Sequence, residues 1–313
     1  MEKENERDVP LYSETAYDDA FRTMEGRCDD LLIHFVSHMF GEKYDKSAVV
    51  KRLRNEQYVE HEDGSSEKRV TDSHFEITWH NITKRYHLEC ESQGYNEEIL
   101  VRIFEYGSQI AKDNKEEIKY KARFSFPNSG LLLLKSSASV PDAATIEIAM
   151  PNGRELSFDV PIIKMADYTI EDIFREELYM LIPFYIFNYG DTLKEIDGSE
   201  EKLELLLNEY RMVFEMLEEK MNEGLLSAVS YDAIIRLTHS VAYKYTMNTK
   251  NIQKKVGDVM GGKVLDLPSF RIYDQGKAEG KAEGKAEGEQ ERKELKNEVE
   301  RLRKELEELK ARQ

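Results

Sequence analysis

Three acidic residues stand at positions where two strands could bring their carboxylates together. Glu89 and Glu91 share one face of a strand-like run over residues 86–92, because side chains alternate faces along a strand. Asp72 stands seventeen residues before Glu89, at the start of another apolar alternation. Adjacent carboxylates repel each other, and a hard divalent cation is the usual remedy. The pattern indicates a cation site; the alternative interpretation is a solvated polar strand face without a ligand.

The elements that position these acids follow from apolar periodicity and turn residues. The patterns predict helices over 16–40, 97–112, 170–188, 199–222 and 231–250, strands over 49–60, 70–79, 84–91 and 131–135, and a second hairpin over 145–160. The strands over 70–79 and 84–91 are expected to pair around His80 and Asn81, which would set Asp72 beside the two glutamates. Periodicity alone indicates an α/β or α+β fold.

Four short motifs follow one another along the chain. They are Tyr-Asp-Asp-Ala-Phe-Arg over 17–22, Asp72 followed by Phe75, Tyr-His-Leu-Glu-Cys-Glu-Ser over 86–92, and Arg102 with Tyr106. In this order they resemble the Asp-x-x-Phe-Lys helix, the metal-site strand, the Glu-x-Gln strand and the Arg-x-x-x-Tyr helix of the Rpn family. This family of recombination-promoting nucleases and transposases belongs to the PD-(D/E)XK nuclease superfamily. The Gly-Lys-Ala-Glu repeats after Gly262 also resemble the family's C-terminus, so the resemblance extends over most of the chain.

The resemblance implies a mixed sheet flanked by helices and the activity of a divalent-metal-dependent DNA endonuclease. It implies that Asp72 and Glu89 bind Mg²⁺ or Mn²⁺ and that Glu91 takes the third catalytic position. Asp19, on the opening helix, is a further expected metal ligand, and its neighbour Asp18 leaves the choice between the two open.

The helix that follows the Glu-x-Glu strand adds two further site residues. Arg102 and Tyr106 stand four residues apart on it, so they share one face. The resemblance implies that they support the acidic residues or contact a phosphate. The alternative is ordinary packing of the helix on the sheet, with a surface arginine.

Glu91 is where the chain departs from the family, which has glutamine or lysine at this position. A lysine there would hold the attacking water and stabilise negative charge, whereas a glutamate cannot supply positive charge. A shifted register over Glu91, Ser92 and Gln93 would restore Glu-x-Gln. The departure supports a second hypothesis, in which a catalytically degenerate nuclease fold acts as an oligomeric binding or scaffolding module. A nuclease toxin or antiphage factor is a third.

Composition limits the class of protein. With 40% hydrophobic residues and a net charge of −17, the chain fits a soluble globular protein but not one that coats DNA through bulk electrostatics. No run approaches the ~20 apolar residues of a membrane span, and no apolar signal core is present, so we expect a cytoplasmic protein without a membrane partner. DNA is the partner that the resemblance implies, through local basic patches over 51–54, 84–85 and 112–123.

The last residues of the chain follow a heptad pattern. Apolar side chains step by four and three at Leu295, Val299, Leu302, Leu306 and Leu309, which places them at the a and d positions of a coiled coil. Glutamates at g and cations at e match in sign for a parallel homodimer: Glu291, Glu298 and Glu305 with Lys296, Arg303 and Lys310. The alternative is a single amphipathic helix that packs on its own domain.

These patterns together predict the organisation of the chain. A PD-(D/E)XK nuclease-like domain is expected over 13–165 and a helical region over 166–260. A spacer of Gly-Lys-Ala-Glu repeats over 261–288 then leads to the coiled coil over 289–313.

Overall fold

The computed structural model describes residues 16–53, 56–60, 66–70 and 72–261. Its helices are α1 Ala16–Arg27, α2 Asp29–Phe40, α3 Glu98–Asp113, α4 Ile170–Arg175, α5 Leu193–Asp197, α6 Glu200–Asn222, α7 Ala228–Tyr245 and α8 Lys250–Gly261. Its strands are β1 Val49–Arg52, β2 Glu56–Glu60, β3 Ser66–Val70, β4 Ser73–Trp79, β5 Ile82–Glu91, β6 Glu116–Ile118, β7 Lys121–Arg123, β8 Asn128–Leu133, β9 Ala143–Ala149 and β10 Glu155–Lys164. The predicted spacer, apart from Gly261, and the predicted coiled coil lie outside the described residues.

A mixed six-stranded sheet in the order β1-β4-β5-β8-β10-β9 forms the centre of the fold. The β1, β4 and β5 strands pair antiparallel, β8 pairs parallel with both β5 and β10, and β9 returns antiparallel along β10. The β2–β3 and β6–β7 pairs are separate two-stranded ribbons. The architecture is therefore mixed α/β, as expected.

The β4–β5 hairpin fixes the position of the acidic residues. Its turn consists of His80 and Asn81, both in the left-handed region with φ of 47° and 64°, which suits the twist of a tight hairpin. The register pairs Ser73 with Leu88, so Asp72, one residue before β4, lies beside Glu89. The two-residue turn thus sets the register that makes Asp72 and Glu89 neighbours.

Helices cover both faces of the sheet. On the face that Glu89 shares, Ile99 and Ile103 of α3 pack with Leu131 and Leu133 of β8. On the opposite face, the ring of Phe40 in α2 lies 5.1 Å from that of Tyr86 in β5. Because α3 covers the face of the acidic residues, its polar side chains are placed to reach them.

Two helices expected from periodicity are interrupted. The helix over 16–40 breaks at Cys28, whose backbone is not helical (φ −119°, ψ 78°), and Asp29 then begins a new helix where a negative charge is favourable. The helix over 170–188 ends early, because Glu177 adopts a φ of 56° and a 3₁₀ segment, Tyr179–Tyr189, follows. Pro183 lies inside that segment and lacks an amide donor for a regular helix. Apolar spacing continues through both breaks and so does not reveal them.

The regions predicted over 13–165 and 166–260 pack together within one compact unit. The α7 helix contacts α1 and the 3₁₀ segment, and Ser227 N, at the start of α7, donates to Asp30 Oδ2 of α2 at 2.9 Å. In the described part of the chain, no helix has the length and apolarity that crossing a bilayer requires.

Candidate functional site

A cavity of about 260 Å³ opens where the parallel strands β5 and β8 end. The carboxyl ends of parallel strands commonly form ligand sites in α/β sheets. The cavity is lined by Asp18, Asp72, Glu89, Cys90, Glu91, Ser92, Arg102 and Tyr106, and we name it the acidic pocket. The structure therefore brings five of the predicted site residues to one place: Asp72, Glu89, Glu91, Arg102 and Tyr106.

Asp72 is held from both of its carboxylate oxygens. Arg22 Nη2 donates to Oδ1 at 2.9 Å, and the backbone N–H of Cys90 donates to Oδ2 at 2.9 Å. The residue is only 7% exposed. Burial and the nearby charge of Glu89 raise the pKa of Asp72 to about 7, although the Cys90 N–H and Arg22 act to lower it. The two protein donors therefore offset only part of the effect that burial and Glu89 have on this pKa.

Glu89 is 4% exposed and contacts three neighbours. His87 Nε2 lies 3.0 Å from its Oε1, and the backbone N–H of Asp72 donates to the same oxygen at 3.5 Å. Arg102 Nε lies 3.4 Å from Oε2. Because neighbouring residues contact both carboxylate oxygens, the orientation of the Glu89 side chain in the pocket is fixed.

A buried histidine and an aromatic ring lie behind Glu89. His87 is fully buried, and its Nδ1 lies 3.4 Å from Ser129 Oγ. The ring of Tyr106 meets the His87 ring edge-on at 5.7 Å. Tyr106 therefore lines the pocket and also positions the imidazole that contacts Glu89.

Arg102 bridges the two glutamates of β5. Its Nη2 donates to Glu91 Oε2 at 3.2 Å, while the backbone N–H of Gln93 donates to the other Glu91 oxygen at 2.8 Å. Burial alone would lower the pKa of Arg102, but the charges of Glu89 and Glu91 outweigh it and raise that pKa. The β5 strand ends at Glu91, so Gln93 lies beyond it and the shifted Glu-x-Gln register does not form on the strand.

The opening helix contributes Asp18 to the acidic pocket, whereas Asp19 is exposed and does not line it. Asp19, the ligand expected from this helix, is therefore not at the cavity, and Asp18 is the acid that α1 presents there. Burial raises the pKa of Asp18; Arg22 lowers it, and Asp19, Glu91 and Glu89 raise it further. Asp18 thus belongs electrostatically to the acidic cluster.

The acidic pocket fits a metal ion only in a limited way. Among the described residues, no group of three or more histidine, cysteine, aspartate or glutamate side chains is placed to hold a metal. The expected set of Asp72, Glu89 and Asp19 is therefore not assembled, since Asp19 points elsewhere and Arg102 occupies one oxygen of Glu89. Mg²⁺ needs only one or two carboxylates, because water completes its octahedron. Asp72 and Glu89 are the two buried carboxylates that line the pocket.

Arg22 is the contact that the sequence did not identify as functional. It stands in the Tyr-Asp-Asp-Ala-Phe-Arg motif, at the position where the resembled family has lysine. The sequence feature that could have identified Arg22 is its i,i+4 spacing from Asp18, which places both side chains on one face of α1. Its pairing with Asp72 joins segments fifty residues apart, and only the folded chain reveals it.

Comparisons with protein-family models, curated proteins and solved structures find no match to this chain. The geometry of the acidic pocket and the motifs that form it are thus the basis on which a function can be inferred.

Proposed function

We propose that the chain is a divalent-metal-dependent DNA endonuclease of the PD-(D/E)XK type, related to the Rpn nucleases and acting in DNA recombination or transposition. The main supporting observation is the pair formed by Asp72 and Glu89. These almost fully buried carboxylates come from the residue before β4 and from the neighbouring strand β5, and both line one open cavity. Burial and the charge of Glu89 raise the pKa of Asp72, so a divalent cation beside the two carboxylates would relieve a cost that Arg22 and the Cys90 N–H offset only in part.

The charge balance of the acidic pocket supports a divalent ion as its ligand. Four carboxylates line the cavity, from Asp18, Asp72, Glu89 and Glu91. Two guanidinium groups, those of Arg22 and Arg102, pair with them. When all are ionised, two negative charges remain, which equals the charge that Mg²⁺ or Mn²⁺ would neutralise. Asp72 and Glu89 would hold the ion directly, with water as the remaining ligands.

A bound divalent ion would supply an activated water and neutralise the phosphate charge that develops during phosphodiester hydrolysis. The residues around the pocket have the task of holding the two acidic ligands. Arg22 and the Cys90 N–H fix Asp72, while His87 and Arg102 fix Glu89. Groups that hold the ligands in this way tune the affinity of a site for its metal ion. Arg102, which lines the cavity, can also donate to a phosphate oxygen.

One observation favours the second candidate, a degenerate nuclease fold that acts as an oligomeric binding or scaffolding module. Arg102 pairs with both Glu89 and Glu91, so part of the acidic charge is already compensated by the protein itself. If this pairing persists in solution, the pocket is stable without an ion and has no catalytic role. The two candidates differ in one measurable property, the response to a divalent ion.

Plasmid nicking in Mg²⁺ or Mn²⁺ tests the proposal. The purified chain is expected to convert supercoiled plasmid to the nicked form, and EDTA is expected to stop the reaction, because the ion supplies the activated water. Asp72→Ala, purified in the same way, is expected to be inactive and controls for contaminating nucleases. Absence of cleavage with either ion, together with a melting temperature that neither ion changes, would favour the binding module instead.

Self-association through residues 289–313 is the second part of the proposal. Deleting these residues is expected to convert a parallel homodimer to a monomer without unfolding the described unit, because the Gly-Lys-Ala-Glu spacer separates the two. Leu302→Asp is expected to act like the deletion, since it buries an unpaired charge at a d position. Sedimentation velocity at micromolar concentration checks both. A full-length chain that sediments as a monomer would contradict the dimer.

A further inference from the structure

A second cavity, of about 380 Å³, adjoins the acidic pocket, because Asp18 and Ser92 line both. Its other lining residues come from α1, from α7 and from the segments that follow β5, β8 and α7: Tyr17, Gln93, Lys135, Lys244, Tyr245 and Asn248. Two lysines thus line a cavity next to the one that four carboxylates line. We name this cavity the lysine pocket.

The β8 strand places Lys135 directly beyond the acidic residues. Leu133, the last residue of β8, pairs in register with Glu91, and the backbone N–H of Leu134 donates to the Glu91 carbonyl at 2.9 Å. Lys135 follows at once. Because β5 and β8 run parallel, their ends lie side by side, and the ammonium group reaches the same edge of the sheet as the two glutamates.

Aromatic rings support the Lys135 ammonium group. Its Nζ lies 5.4 Å from the ring centroid of Tyr245 and 5.8 Å from that of Phe187. These two rings pack at 4.3 Å, and Tyr17 meets Phe187 edge-on at 5.0 Å. An ammonium group in this position is attracted to the ring faces without losing its charge. The rings therefore keep the Lys135 side chain at the wall of the cavity.

The two ammonium groups of the lysine pocket are available for an anion. Lys244, on α7, is half-buried, and neither it nor Lys135 forms an ion pair with any residue that the structure describes. Of the residues that line this cavity, Asp18 alone carries a carboxylate. Two ammonium groups beside one carboxylate leave a net positive charge at the cavity, which favours the binding of an anion.

We propose that the lysine pocket binds a backbone phosphate of DNA, next to the phosphate that the acidic pocket would cleave. The inference rests on the proposed function and deepens it. The side chains of Ser92, Gln93 and Asn248 add polar groups of the kind that position phosphates. Lys135, just after β8, and Lys244, on α7, would also supply positive charge beside the acidic pocket, which Glu91 cannot supply.

Two features favour a phosphate within a strand over a free phosphate ion. The cavity adjoins the acidic pocket, with Asp18 and Ser92 in both linings, so a strand with one phosphate in the acidic pocket would have a neighbouring phosphate near the lysine pocket. Its lining also includes the aromatic side chains of Tyr17 and Tyr245, which suit sugar and base contacts better than an isolated ion. Burial and the nearby Tyr245 raise the pKa of Tyr17 to about 12, so its hydroxyl remains a donor at neutral pH.

Binding of a short labelled DNA duplex, measured by fluorescence anisotropy in Ca²⁺, tests the proposal apart from cleavage. Lys135→Ala and Lys244→Ala are each expected to weaken binding about tenfold at ~0.1 M salt, because one phosphate contact contributes about 0.9 to the slope of log K against log salt. The slope is expected to fall by about one in each variant. Lys135→Arg is expected to retain most of the affinity. Lys43→Ala, an exposed lysine after α2, is the matched control and is expected to bind like wild type.

Three outcomes would overturn the proposal. The first is a double variant, Lys135→Ala with Lys244→Ala, that binds the duplex with wild-type affinity and salt slope; plasmid nicking by the wild type would then still support the proposed nuclease. The second is lysine-dependent binding of inorganic phosphate without binding of the duplex, which makes the cavity a small-anion site. The third is equal weakening by Lys43→Ala, which would mean that general surface charge is responsible. Unchanged melting temperatures establish that the variants are folded.

Discussion

Glu89→Gln is expected to reduce divalent-dependent plasmid cleavage by at least about 100-fold, since even residues that only support a metal ligand change affinity or activity by 10- to 100-fold. Glutamine keeps the size of the side chain and the oxygen that lies near His87 and the Asp72 N–H. It removes the negative charge that would hold the cation beside Asp72. The ion pair with Arg102 is lost as well, so melting temperatures are needed to show that the expected loss of activity is chemical and not structural. Initial rates of nicking in Mg²⁺, with melting temperatures for both proteins, measure it.

Glu76→Gln provides the matched control. Glu76 lies on β4 and, like Glu89, pairs with an arginine: Arg85 Nη2 donates to it at 2.5 Å. It does not line the acidic pocket. The variant is expected to cleave at nearly the wild-type rate. Cleavage by Glu89→Gln at the wild-type rate would refute the metal role of Glu89, and equal loss in both variants would attribute the effect to the fold.

The elements that the sequence predicts most accurately are those whose backbone is determined by local chemistry. His80 and Asn81 form the predicted hairpin turn, and the period of two in the flanking strands places Glu89 and Glu91 on one face. The α3 helix begins and ends within one residue of its prediction, because its apolar stripe is uninterrupted. The breaks at Cys28 and Glu177 were not predicted, since the apolar pattern continues through both and tertiary packing decides where the helix stops.

The candidate site was predictable only in part, for a similar reason. The parity of a strand and the register of a hairpin are local properties, and they brought Asp72, Glu89 and Glu91 to one edge. The choice between Asp18 and Asp19 depends on how α1 is rotated against the sheet; the spacing of the Asp-x-x-Phe-Lys motif, in which the aspartate comes three residues before Phe21, was the signal for Asp18. Lys135 stands apart from every motif, and it reaches the site because β8 pairs parallel with β5. Such long-range pairings have no local signature.

A buried carboxylate away from the acidic pocket leads to the second large prediction. Glu25, on α1, is 3% exposed, and its Oε1 accepts no hydrogen bond from any residue that the structure describes. Among the described residues, the cation that pairs with it is Arg52, whose Nε lies 3.9 Å from Oε1. Burial raises the pKa of Glu25 from its ordinary 4.5 to about 7; Arg52 lowers it in part, and Asp29 raises it further.

The raised pKa has a definite consequence for stability. The folded chain binds a proton on Glu25 more tightly than the unfolded chain does. The resulting contribution to the free energy of unfolding is complete below about pH 4.5 and is lost as the pH rises through about 7. A shift of this size corresponds to at most about 3 kcal/mol. The ionised carboxylate therefore destabilises the folded chain at neutral and alkaline pH.

Glu25→Gln is expected to raise the free energy of unfolding by about 2 kcal/mol near pH 8 and to change it little below about pH 5, because glutamine has the shape of the side chain without its charge. Urea unfolding at the two pH values measures the difference. Glu76→Gln again serves as the control, and its expected change in the free energy of unfolding has the opposite sign. Burial tends to raise the pKa of Glu76, but Arg85 and Lys51 outweigh it and lower that pKa, so removing this charge is expected to destabilise the chain near pH 8. A Glu25→Gln protein less stable than wild type near pH 8 would show that the pair of Glu25 with Arg52 is worth more than the burial of its charge costs.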